Sequence, residues 1–207
     1  MSVMAHQRRS ARPTPLDELW PDEDRPLTVD DLLRLPDDEN RYELVDGILE
    51  VTPAAKTPHQ RVVSRLHSLL DMACPEDFEV LSGPGINLAN DLHRVPDVAV
   101  IRAAPAGDGF ITQPPVLAIE VASRSTRKRD RTTKKENYAA FGIELYWIVV
   151  PEPASLTVYQ LNGNSSYEQV ALVAGDEAFD VAHPYPLTIV PRLLVADGRE
   201  WRSLLRS

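Results

Sequence analysis

A chain of 207 residues, 43% of them hydrophobic, can bury a sizeable core, and one domain with trimmings is the expected organisation. No apolar run approaches the roughly 18 residues of a membrane span, and Met1 to Arg12 lacks the hydrophobic stretch of a signal peptide, so a cytoplasmic protein with no membrane partner is expected. A formal net charge of −9 excludes a generic nucleic-acid coater, which would be basic overall, but not an enzyme whose cations are gathered locally.

Residues 1 to about 25 mix Arg8, Arg9 and Arg12 with Pro13, Pro15 and Pro21 and the acids Asp22 to Asp24, without periodicity. That composition predicts a flexible arm ahead of a single domain over 26–207. Thr28, with Asp31 three positions on, is an N-cap signal for a short helix that Pro36 ends. Asp46-Gly47 between Tyr42–Val45 and Ile48–Val51 predicts a two-residue hairpin, with Glu43 on a strand. Thr57-Pro58 opens a helix whose Val62, Val63, Leu66, Leu69 and Leu70 recur at helical spacing and should pack on a sheet. His59 and His67 lie near one side of it, but no third ligand follows at a zinc-like spacing. His67 reads as structural or surface; His59, at the helix start, is within reach of a site. Cys74 is the only cysteine, so no internal disulfide or Cys-based zinc site can form.

Strand-like runs follow at Phe78–Leu81, Ile86–Leu88, Val98–Ile101 and Val116–Ala122. The loop between the last two, through Pro105, Gly107 and Gly109, is too short for a helical crossover, so they should pair antiparallel. Asp130–Phe141 reads as a helix stopped by Gly142, and Glu144–Val150 as an apolar strand, which together make a crossover with parallel strands. After Pro151 the pattern turns to hairpins: Leu156–Leu161, Asn162-Gly163, Tyr167–Val173 and Leu187–Val190. The expected fold is α/β, a mixed sheet flanked by helices over about 27–161, with a β-hairpin extension over about 162–207.

Chemistry concentrates in two short segments and the basic run after them. Along a strand Ala118, Glu120 and Ala122 share one face, so Glu120 is an acid within an otherwise apolar strand and needs a cation, a metal or hydrogen bonds. Asp97 opens the strand expected beside it. Pro96-Asp97 alone is a common turn pair. Two carboxylates on paired strands, however, suit a hard divalent cation. Arg124, Arg127, Lys128, Arg129, Arg131, Lys134 and Lys135 then crowd a short stretch with Asp130 as the lone acid. The bland reading is a solvated helix face; placed directly after Glu120, the run instead suggests phosphate neutralisation, and the whole suggests metal-dependent phosphodiester cleavage.

Pro96-Asp97 followed by Glu120-Val121-Ala122 resembles the PD-(D/E)XK nuclease signature. The wider pattern resembles the Uma-two family of restriction-endonuclease-like proteins. Its words are Arg41 to Gly47, Pro96-Asp97-Val98, Ile119 to Ser123, Ser125-Thr126, Asp130 with Lys134 and Tyr138, and Gly142 to Val149, covering roughly residues 27–161. The resemblance implies a restriction-endonuclease-like core. It further implies that Asp97, Glu120 and the backbone carbonyl of Val121 ligate Mg2+ or Mn2+, with Glu43 as an added ligand or as support for a second metal. DNA would be cut to a 5′-phosphate and a 3′-hydroxyl, with Arg124, Arg127, Lys128, Arg129 and Arg131 on backbone phosphates, contacts that carry no sequence information.

One position departs from that signature. Its lysine stands two residues after the acid, where this chain has Ala122. Asp130, Lys134 and Tyr138, at steps of four, would line one side of the following helix, and Lys134 is the substitute by that spacing and by analogy with the family. Lys135 and Lys128 are the alternatives, and the plain reading of Lys134 is a surface ion pair with Asp130. The missing lysine and the acidic balance also leave open a nuclease-like fold that binds nucleic acid or protein without cleaving. A homodimer would cover exposed strand edges and the apolar C-terminal segment.

Overall fold

The structure, a computed structural model, describes residues 25–35, 40–103, 109–123 and 127–204. The expected arm up to residue 24 and Arg124 lie outside the described residues. Helix α1 (Val29–Leu32) starts where Thr28 predicts it: the Thr28 N–H donates to Asp31 Oδ2 at 2.9 Å. Arg25 pairs with the same carboxylate at 2.7 Å, which fastens the chain entering the domain.

Strands β1 (Arg41–Val45) and β2 (Ile48–Thr52) form the hairpin that Asp46-Gly47 predicts, with φ of 50° and 76° at those two residues. Helix α2 (Thr57–Ala73) follows, then β3 (Phe78–Ser82), β4 (Ile86–Ala89), β5 (Leu92–Arg94), β6 (Val98–Arg102) and β7 (Leu117–Val121). Next come α3 (Arg127–Arg131), α4 (Thr133–Phe141), β8 (Leu145–Val150), β9 (Ser155–Leu161) and β10 (Tyr167–Ala174). The chain continues through β11 (Phe179–Val181), β12 (Leu187–Ile189), α5 (Pro191–Val195) and α6 (Gly198–Leu204).

The main sheet is mixed, in the order β10-β9-β8-β7-β6-β3. Within it β6 and β7 are antiparallel, as their short connection requires, and β7 and β8 are parallel, joined across the α3–α4 unit. Alternation on β7 sends Leu117, Ile119 and Val121 to a core with Val62, Val63, Leu66 and Leu70 of α2. Ala118 and Ala122 face the other way, against Tyr138 and Ala139 of α4 and Tyr146 of β8. A second sheet, β2-β1-β5-β4, brings β1 and β5 beside this second face. No helix of the described residues is long and apolar enough to cross a membrane.

Three features differ from the sequence reading. The single helix expected over 130–141 is two, broken at Thr132 (φ −121°, ψ −89°). Thr132 and Thr133 are both β-branched, and the Thr132 hydroxyl donates to the Lys128 carbonyl at 2.9 Å, a local bond that competes with helix continuation. Strand β10 belongs to the main sheet rather than to an appendage, pairing along its length with β9. And the C-terminal extension, which carries the expected hairpin as β11 paired with β12, ends in α5 and α6 rather than in β structure. There Arg65 of α2 donates to the carbonyls of Leu193, Leu194 and Ala196 at 3.1, 2.8 and 2.9 Å, satisfying the end of a helix too short to stand alone.

Gly47 tests the hairpin. A Cβ there would lie 2.4 Å from Pro26 Cβ, on a backbone already at φ +76°. The left-handed conformation alone costs a non-glycine residue about 1–2 kcal/mol, so Gly47→Ala should lower stability by at least that in urea unfolding. An unchanged midpoint would show that the hairpin and its contact with Pro26 contribute nothing.

Candidate active site at the junction of the two sheets

Lys134 leaves α4 at a position 1% exposed to solvent. Its Nζ donates to Glu120 Oε1 at 2.8 Å and to Glu43 Oε1 at 2.9 Å. A surface ion pair with Asp130 does not describe such a residue. Tyr138, one turn further along α4, donates its hydroxyl to the same Glu120 oxygen at 2.9 Å. Of the two alternative lysines, Lys135 sits 4.2 Å over the Tyr159 ring and Lys128 is exposed. Glu43, on β1, also accepts from the Val95 N–H at 3.1 Å and from Arg94 Nη1 at 3.3 Å. Arg94, fully buried, donates through Nη2 to Asn137 Oδ1 of α4 at 2.7 Å, closing a ring of contacts around the lysine.

Asp97 lies just before β6. Its Oδ2 accepts the Val121 N–H at 2.7 Å, and its Oδ1 meets Arg41 Nη2 at 2.8 Å and His59 Nε2 at 3.1 Å. Asp97, Glu120, Val121 and Lys134 line one cavity of about 430 Å3, together with Arg41, His59, Lys56 and Arg129. Both carboxylates therefore open on the same space. Glu43 stands behind it, its two oxygens engaged by Lys134, Val95 and Arg94.

The two acids differ electrostatically. Burial pushes both up. At Asp97 the hydrogen bond from His59, the Arg41 charge and the Val121 N–H outweigh it and hold the carboxyl down at about 2. At Glu120 burial wins over the Lys134 charge, and with Asp97, Asp130 and Glu43 nearby the carboxyl is pushed up to about 7. Burial opposes the charge on Lys134 as well, but Glu120 and Glu43 together hold its pKa above the ordinary lysine value.

The donor set suits a hard cation: carboxylate and carbonyl oxygens, with Lys134 and Tyr138 both bonding Glu120 through Oε1. Among the described residues no three His, Cys, Asp or Glu side chains converge closely enough to hold a metal. An ion here would have two carboxylates at most and take its remaining ligands from backbone, phosphate and water, the usual manner of Mg2+.

The family described as "Putative restriction endonuclease", Uma2, matches residues 29–191, most of the chain. The chain belongs to the Uma2 family. Its fold is also similar to the crystal structure of a protein from Anabaena variabilis described as a putative nuclease belonging to DUF820. The TM-score is 0.64 at 20% identity, over 82% of this chain and 98% of that one. No curated protein gives a significant match.

Against this Uma2 fold the basic run separates into different environments. Arg129 lines the cavity and donates to Glu50 at 2.7 Å, Lys128 and Arg131 are exposed, and Arg127 opens α3. His59, within reach of a site by its place at the helix start, does meet Asp97, whereas Arg41 and Arg94 carry no site role in the sequence patterns. Strand alternation held a signal for one of them: Arg41 shares its face of β1 with Glu43. His59 and Arg94 reach the site only through the packing of α2 and of the second sheet.

The lysine between two acids yields a pH-dependent prediction. Glu120's folded value of about 7 lies above its unfolded value of 4.5, so its ionisation in the folded state lowers stability as pH rises through that window. Lys134 is the group that offsets this. Lys134→Met should therefore destabilise the protein by about 3–5 kcal/mol at pH 8, where both carboxylates are charged, and by distinctly less at pH 5.5, where Glu120 is protonated. Urea unfolding at the two pH values measures it; equal losses would rule out charge compensation as the role of the lysine.

Proposed function

We propose that this chain, as a single domain over 26–207, is a divalent-metal-dependent endonuclease that hydrolyses phosphodiester bonds in DNA. In this reading Lys134 takes the part that a lysine two residues after the strand acid has in the wider nuclease signature, where this chain has Ala122. The observation that carries the reading is that Lys134 Nζ, arriving from the next helix, lies 2.8 Å from Glu120 on the wall of the cavity that Asp97 also lines. Membership of the Uma2 family supports the reaction class.

Asp97, Glu120 and the Val121 carbonyl are the residues that would hold Mg2+ or Mn2+. Such an ion supplies charge neutralisation at a scissile phosphate and a more acidic water. The chain's own side chains do the rest. Lys134 stays protonated and offers positive charge beside the reacting phosphate. Glu43 and Arg94 keep the ammonium in place, so Glu43 acts here through the lysine rather than as a ligand. Arg41, Lys56 and Arg129 supply further cations to the cavity, and Arg124, Arg127, Lys128 and Arg131 extend the basic surface for backbone phosphates.

A second reading has its own support. Asp97 Oδ1 is already engaged by Arg41 and His59, an arrangement that also suits a nuclease fold that binds nucleic acid without cutting it. A plasmid-nicking assay with Mg2+ or Mn2+ separates the two, with folding of each protein checked by circular dichroism. Asp97→Asn, Glu120→Gln and Lys134→Met should each reduce the cleavage rate by about 100-fold or more, the scale seen when one electrostatic contact to a transition state is removed. Equal residual activity in wild type and all three variants would sink the nuclease reading in favour of the binding one.

A further inference from the structure

A second cavity, of about 570 Å3, adjoins the first and shares Asn40 and Arg41 with it. Because side chains alternate along a strand, Tyr42 lies on the face of β1 opposite Arg41 and Glu43, and it forms part of this second wall. His93 and Phe110 stand there edge to face, ring centroids 4.5 Å apart, and Leu32 and Leu35 add apolar surface. Gly85 permits that packing: a Cβ at this position would lie 2.7 Å from Phe110 Cδ1 and 2.8 Å from His93 Cε1.

His93 is uncharged at ordinary pH, since burial draws its pKa down to about 4. Its Nδ1 lies 2.6 Å from Asn87 Oδ1, so the neutral ring donates there and keeps Nε2 as an acceptor. None of the described residues lining this cavity is acidic, in a chain with 31 Asp and Glu against 22 Lys and Arg. The Arg41 guanidinium on the shared wall suits a ligand attached to phosphates. Arg41 connects the two spaces: Nη2 bonds Asp97 Oδ1 at 2.8 Å, and Nη1 donates at 3.3 Å to the carbonyl of Val95, which lines the second cavity.

The geometry points to a subsite for one unstacked nucleobase, seated among Tyr42, His93 and Phe110 while the adjoining phosphate lies at Asp97 and Glu120. This rests on the nuclease reading, because the shared arginine is what sets base and phosphate side by side. Aromatic rings suit such a guest, for every base presents a π-face and stacking does not depend on sequence. A neutral acceptor at the wall adds a means to discriminate between base edges.

The subsite is tested without cleavage. In EDTA, binding of deoxyadenosine and thymidine 5′-monophosphates to the full chain is compared with that of deoxyribose 5-phosphate by saturation-transfer NMR. The nucleotides should bind about tenfold more tightly, the scale of one base stacked on an aromatic ring. Phe110→Ala should remove most of that difference, and because this ring is 37% exposed its loss leaves the core packed. Tyr42→Leu, which keeps apolar bulk on β1, should reduce the difference too. Equal affinity for ligands with and without a base, or a preference unchanged in both variants, would overturn the subsite. Plasmid nicking by the same proteins keeps the two readings apart. Cleavage without base preference overturns the subsite alone, and base preference without cleavage overturns the nuclease alone.

Discussion

One ammonium group, that of Lys134, is bonded at once to Glu43 on β1 and Glu120 on β7. Those strands belong to different sheets and the lysine to a helix packed between them, so a single contact joins three layers of the fold. Such a centre is costly to assemble, because two carboxylates and an ammonium lose their water, and it holds only while each charge has its partner. The surrounding structure is arranged accordingly. Arg94 and the Val95 N–H complete Glu43, Tyr138 completes Glu120, and Asn137 ties Arg94 back to the helix that carries the lysine.

That arrangement also divides labour between the two faces of β7. One face is wholly apolar and packs on α2, which gives the strand its stability. The other replaces an apolar residue with Glu120 and surrounds it with small alanines, Tyr138 and Tyr146, so that the carboxyl is desolvated and its pKa raised. Asp97, on the neighbouring strand's entry, is kept ionised by Arg41 and His59. The pair therefore presents one permanently charged acid and one whose charge depends on what is bound nearby. A positive charge arriving in the cavity would draw Glu120 into its ionised form.

Much of this was legible in the chain. The Asp46-Gly47 turn, the antiparallel β6–β7 pair and the parallel β7–β8 crossover follow from local rules: turn chemistry, connection length and the handed geometry of strand-helix-strand units. The steps of four from Asp130 to Tyr138 placed Lys134 on the same side as Tyr138, and that survives the helix break at Thr132 because α4 itself carries both residues. The Uma2 motifs agree with the family match over residues 29–191. The contacts made over long stretches of chain were not legible there: Arg41 to Asp97, Arg65 to the end of α5 and, for His59, which acid it meets.

The amino-acid sequence by itself determined the order and type of most elements, the strand positions of Glu120 and Glu43, and the presence of cations after them, since each depends on residues within one or two turns. Tertiary structure decided which cation meets which acid. Lys134, Lys135 and Lys128 are nearly equivalent in sequence, yet one is buried between two carboxylates, one rests on the Tyr159 ring and one is exposed. The meeting of the two sheets also decided that Glu43 serves the lysine and that Arg41 stands between two cavities. A side chain's neighbours across a sheet junction are set by packing of distant segments, and no local pattern encodes that distance.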